Sequence, residues 1–168
     1  CQFLGGVYGI ESYGGELSFQ SCVMADFDMN FLTTTFTEVD FQACHLGSVN
    51  SLGRFNRSKV IMKDLIANKG ASFVNGHSSN FEMTSCQIGD YEKGMDLNQI
   101  SIASMWSTNF EGMDCIASLD QSSEFYTYGG DFGKTKTGFK VDEDGEMGQA
   151  SSYVLYGTNT EGVTTMEE

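Results

Sequence analysis

Two histidines, five cysteines and one concentration of basic side chains are the residues of this 168-residue chain whose types and spacing could do chemistry. His45 directly follows Cys44, and His77 sits in Asn75-Gly-His-Ser-Ser79. A Cys–His or Ser–His pair for nucleophilic catalysis is therefore the first reading to weigh, because such partners meet in space rather than in sequence. No Gly-x-Ser-x-Gly elbow, phosphate loop or dinucleotide fingerprint accompanies them. Cys1, Cys22, Cys44, Cys86 and Cys115 are odd in number and include no C-x2-C spacing, so at least one thiol is unpaired within the chain. With only two histidines beside them, a structural zinc site is not expected. The expectation is no catalytic residue, no cofactor and no bound metal.

The basic residues are more distinctive. Arg54, Arg57, Lys59, Lys63 and Lys69 are five of the nine in the chain, opposed locally only by Asp64. Residues 1–53 carry −6, residues 70–133 carry −8 and residues 134–168 carry −4, within a total of −14. A positive island on an acidic body is a candidate partner-binding surface for an anionic protein or headgroup. A solvated face that balances the chain's own acids is the competing reading. The overall charge argues against direct nucleic-acid binding by phosphate neutralisation. Apolar runs of about four residues leave no room for a membrane-spanning helix.

The elements that hold these residues follow from a repeat. Leu17-Ser-Phe19-Gln-Ser-Cys-Val-Met24, Thr34-Thr-Phe36-Thr-Glu-Val-Asp-Phe41, Ser79-Asn-Phe81-Glu-Met-Thr-Ser-Cys86 and Thr108-Asn-Phe110-Glu-Gly-Met-Asp-Cys115 align without gaps. Each has Phe third and another apolar residue five positions later. The register extends to three runs: Phe31, Phe36, Phe41 and Leu46; Phe81, Cys86 and Tyr91; and Met95, Ile100, Met105, Phe110 and Cys115. A helix needs apolar spacings of three and four, and a lone strand needs two. A period of five suits a chain that turns a corner every five residues and stacks its coils through parallel backbone bonds. Twenty glycines and no proline leave the corners to Gly, Asn, Asp and Ser. Phe36, Phe41, Phe81 and Phe110 are expected to be buried. Cys22, Cys44, Cys86 and Cys115 should point inward as small hydrophobes, with His45 facing out at a corner.

Val39-Asp40-Phe41, Lys63-Asp64-Leu65, Ser79-Asn80-Phe81 and Thr108-Asn109-Phe110 resemble the Ala-(Asp/Asn)-Leu-x-x pattern of the pentapeptide-repeat family, over about residues 17–51 and 79–117. The frame shifts near Phe27 and between Tyr91 and Met95, and Ala is rare in the first position. The resemblance implies an all-β fold: a right-handed parallel β-helix with a square coil of four pentapeptides, in four or five coils. An irregular β-helix or a β-sandwich is the alternative.

Two segments leave the repeat. Within residues 52–70, the stretch from Ser58 to Gly70 reads as a short amphipathic helix with Ser58 as N-cap, in competition with an irregular coil through Leu65. After Asp120, Phe125–Tyr128, Gly138–Val141 and Ser152–Tyr156 read as short strands of a β-hairpin or small sheet closing the solenoid. This divides the chain into a solenoid, 1–120, and a β extension, 121–168. Asp142-Glu-Asp-Gly-Glu146 has half of a calcium loop's ligands, and an acidic turn is the expectation. The first residue, Cys1, points to a removed targeting peptide, a lipidated cysteine or a fragment end. An exported or organelle-lumen protein, with the thylakoid lumen as one version, stands against a cytoplasmic one.

Three functions compete. The first is a non-enzymatic structural or interaction protein, a rigid acidic solenoid docking on a larger assembly. The family resemblance makes a photosynthetic membrane complex one concrete form. The second, also implied by the resemblance, is a DNA mimic acting on a topoisomerase. The third is a surface adhesin or carbohydrate-binding module using the aromatic C-terminal segment, although no aromatic platform can be placed from sequence.

Overall fold

A computed structural model of the chain describes residues 1–7, 9–141 and 150–167. About 72% of it is strand, and the described residues include no helix, so none is long and apolar enough to cross a membrane. All strand pairings among them are parallel, and the sheet winds into a solenoid of about six turns. Each residue pairs with one 21 or 22 positions later, as Lys59 with Asn80 and Asn80 with Ile102. The final step is 28, as in Glu124 with Ser152, because extra residues lie between Val141 and Ser151.

Each coil has three sides. The first stacks residues 38–42 on Lys59–Lys63, Asn80–Thr84, Ile102–Trp106, Glu124–Tyr128 and Ser152–Tyr156. The second is short: His45–Leu46, then 66–68, 87–89 and Asn109–Glu111. The third is long, running through Val49–Asn56, 70–77, 91–98, Cys115–Leu119 and Thr137–Val141 to Thr165–Glu167.

Corners are made by left-handed backbone. Between the first and second sides, Ser21, Ala43, Asp64, Ser85, Ser107, Gly129 and Gly157 all have positive φ. Asp26, Lys69, Asp90, Gly112 and Lys134 form the next such column, and Phe36, Arg57, Ser78, Ile100 and Ser122 the third. Even the corner amides work in the ladder: Ala43 donates to the Lys63 carbonyl at 2.9 Å, and Ser85 to that of Trp106 at 2.9 Å. Proline has no amide hydrogen and a fixed negative φ, so it fits neither these corners nor the sides. That accounts for a chain with none.

On the first side inward residues alternate with outward ones and form columns along the axis, whereas the long side carries adjacent inward pairs such as Phe73 and Val74. Val39 and Phe41, Val60 and Met62, Phe81 and Met83, and Ala103 and Met105 fill the first side, all fully buried. One corner carries a buried hydroxyl ladder. The amides of Thr37, Ser58, Ser79, Ser101 and Ser123 each donate to the Oγ of Ser58, Ser79, Ser101, Ser123 and Ser151 in the next coil, at 3.0–3.3 Å. The chain turns inward just after a left-handed residue, so this amide has no carbonyl opposite, and the hydroxyl supplies the missing acceptor.

The structure corrects several expectations. Phe41, Phe81 and Phe110 are buried, but Phe36 is 50% exposed, because φ = 54° at that corner turns its side chain outward. Ile100 occupies the same column and is likewise exposed. The coil takes 21 or 22 residues, one or two more than four pentapeptides supply. No helix forms at 58–70. Lys59–Lys63 is a first-side strand and Ile66–His77 continues as strand through the Lys69 corner, since Val60 and Met62, then Leu65 and Ala67, enter the core two residues apart on either side of the Asp64 corner. The C-terminal strands make no hairpin: Glu124–Tyr128 pairs parallel with Ile102–Trp106 and with Ser152–Tyr156, so the sheet passes residue 120 without interruption. The acidic Asp142–Glu146 run lies outside the described residues.

Candidate functional site

On the first side, Ala103 and Met105 point inward, so Ile102, Ser104 and Trp106 face out, and the register repeats this for the next two coils. Trp106, Tyr128 and Tyr156 thereby become neighbours. Their rings are offset-stacked, with centroids 5.7 Å and then 5.1 Å apart and planes within 9° and 7° of parallel. All three are about half exposed, at 41, 41 and 55%. Each stacked pair contributes roughly 0.5–1.5 kcal/mol beyond area burial, which holds the rings as a rigid row. Beside the row, the Tyr126 hydroxyl donates to Glu124 Oε2 at 2.9 Å, a bond that raises the phenol's pKa.

Three residues further along each coil, past the corner, lie Asn109, Asp131 and Asn159. They line a cleft of about 330 Å³ together with Glu111, Lys134 and Glu161. The Asn159 amide donates to Asp131 Oδ2 at 3.2 Å, and the Glu161 N–H donates to Asn159 Oδ1 at 3.0 Å. Lys134 is held by Glu111 at 2.9 Å, which raises the ammonium's pKa. Asp131 Oδ1 is buried and accepts no hydrogen bond among the described residues.

The five basic residues are all exposed but do not share a face. Lys59 and Lys63 sit at the two ends of one first-side strand, Arg54 lies on the third side, and Arg57 and Lys69 occupy two different corners. Lys59 stands between Glu38 at 4.0 Å and Glu82 at 3.4 Å, one on each adjacent coil. Arg57 lies over the Phe36 ring, 5.4 Å from its centroid. The positive segment is thus a belt around one coil, part of which neutralises its own neighbours.

Cys44 is buried and His45 exposed, on opposite sides of the strand. His77 Nδ1 is 2.7 Å from Asn98 Oδ1 in the adjacent coil, a contact between stacked positions. Burial pushes the Cys86 thiol up to about 11 against opposing backbone hydrogen bonds. Burial likewise raises Cys115, although Lys140 and Lys93 pull it the other way. Raised thiols are poor nucleophiles at neutral pH. Cys115 borders a groove of about 470 Å³ on the third side, lined also by Lys93, which pairs with Asp96 at 3.2 Å, by Lys140, and by Asp114, whose ion-pair partner is Lys136. Among the described residues, no group of three or more His, Cys, Asp or Glu side chains is arranged to hold a metal.

The aromatic row is the feature that sequence reading did not find. Its signal is the spacing of Trp106, Tyr128 and Tyr156, one coil step apart, which becomes visible only once the coil length is known. Compared with known proteins, the chain matches no family model, no curated protein and no solved structure.

Proposed function

We propose that this chain is a non-enzymatic, rigid docking module that meets a protein partner through the outward aromatic row of its later coils. The observation that carries this is the half-exposed stack of Trp106, Tyr128 and Tyr156 on a regular parallel sheet. Tyr and Trp are the side chains on which association energy concentrates. Rings already immobilised by stacking have little rotamer freedom left to lose on binding, so more of the contact energy appears as affinity. Sugar recognition uses open ring faces; here stacking covers them, which favours a protein partner over a glycan. The basic belt is a weaker candidate for the same role, because its cations face different directions and Lys59 is already paired.

The experiment is affinity capture from the source organism with three baits. These are the wild type, Trp106→Ala/Tyr128→Ala/Tyr156→Ala, and Arg54→Glu/Lys63→Glu/Lys69→Glu, each first shown by circular dichroism to keep its β signal. A partner retained by the basic-belt variant and lost by the aromatic variant supports the reading. Retention by the aromatic variant overturns it.

A further inference from the structure

Resting on that docking reading, we infer that the surface which seats on the aromatic row is cationic: a protein segment carrying Arg or Lys beside apolar residues. The argument is a local imbalance of charge. Where the first side carries Glu38 and Glu82, the chain supplies its own cation, Lys59, between them. Further along the axis this compensation stops. The outward positions of Ile102–Trp106, Glu124–Tyr128 and Ser152–Tyr156 include Glu124 and no Lys or Arg.

The cleft past the corner repeats the pattern. It holds Glu111, Asp131 and Glu161 against one lysine, and that lysine is held by Glu111. No cation among the described residues is paired with Glu124, Asp131 or Glu161. Tyr128 and Asp131, like Tyr156 and Asn159, are three residues apart, so at most roughly 11 Å of chain separates the row from the cleft. An Arg or Lys side chain spans much of that distance. Its stem can lie along the ring row while its head reaches carboxylates on either flank, and the outer ring face of Tyr156, on the last strand of this side, offers a cation–π contact.

The test uses Trp106, the chain's one tryptophan, as a fluorescent reporter inside the row. The intact protein is titrated with three probes: the peptide (Arg-Leu)4, its acidic counterpart (Glu-Leu)4, and cellohexaose. The expected result is a saturable Trp106 change with (Arg-Leu)4 alone, weakening as salt rises. Neutralising Glu124→Gln/Asp131→Asn/Glu161→Gln should weaken it tenfold or more. Neutralising three remote carboxylates, Glu11→Gln/Glu16→Gln/Asp28→Asn, should change it less than twofold, which separates local complementarity from the attraction of net charge.

Equal effects of the two triple variants, a matching response to (Glu-Leu)4 or cellohexaose, or no response to (Arg-Leu)4 would each overturn the inference. The docking reading would survive any of these, since its own test, loss of the captured partner from the aromatic variant, does not depend on the partner's charge.

Discussion

Replacing Ser79 by Ala tests whether the hydroxyl ladder, rather than the apolar core alone, holds successive coils in register. Ser79 Oγ accepts the Ser58 amide at 3.1 Å and lies 2.8 Å from the Phe55 carbonyl and 3.0 Å from that of His77. The His77 carbonyl also accepts from the Arg57 amide, so it stays satisfied when the hydroxyl is removed. The Ser58 amide is buried and would be left without an acceptor, at about 1–3 kcal/mol, and the lost donation adds about 1 kcal/mol. The expected loss is therefore about 3 kcal/mol, which for a chain of this length lowers Tm by roughly 6–12 °C. Urea unfolding followed by far-UV circular dichroism measures it. Ser104→Ala, on the outward side of the neighbouring strand, is the reference and should stay within about 0.5 kcal/mol of wild type. Ser79→Cys should fall between wild type and Ala, because thiols occupy the analogous place at another corner, where Cys44 and Cys86 each donate to a carbonyl two residues back. A loss for Ser79→Ala no larger than that of the Ser104 control would refute the ladder argument.

Phe41→Ala should cost about 3–5 kcal/mol by opening a cavity, whereas Phe36→Ala should cost under about 1 kcal/mol; comparable losses in urea melts would contradict the assigned corner. Ile100→Asn should stabilise by about 1 kcal/mol, because a β-branched residue at φ = 63° is strained while Asn tolerates that backbone, and at 58% exposure little burial is lost; a lower Tm would count against the strain. Cys86 ionises near 9 when unfolded and near 11 in the fold, so its contribution is fully present below pH 9 and is lost as pH rises from 9 to 11. Two units correspond to about 3 kcal/mol, so wild type should lose more stability than Cys86→Ala between pH 8.5 and 11 in parallel urea titrations; parallel losses would contradict the buried neutral thiol.

Why the period of five was legible, and where it failed, follows from one geometric fact about the coil. Phe81, Cys86 and Tyr91 are five apart and all inward, because each lies on a different side: Phe81 on the first, Cys86 at the start of the second, Tyr91 at the start of the third. Two successive short stretches of chain imitate a pentapeptide rhythm. The third side is longer, and there the frame breaks between Tyr91 and Met95. Carrying the period through that side and on to the next corner places Phe36 and Ile100 inward, whereas both sit on the left-handed column and face solvent. The basic segment admits both a helix and a solenoid coil through Leu65 for a related reason, and the coil is what forms. Its four apolar residues fit an amphipathic stripe, while the signal for a strand was the match of Lys59–Lys63 to neighbours 21 positions away on each side, outside any local window. The same 21–22 residue step places Ser58, Ser79, Ser101 and Ser123 on one ladder and Trp106 and Tyr128 in one row. Neither pattern shows in periods of two, four or five. In a parallel solenoid a residue's neighbours are set by coil length, a property of the sum of three sides and three corners. A local reading recovers which residues are apolar and small, and only the closed coil decides which of them meet.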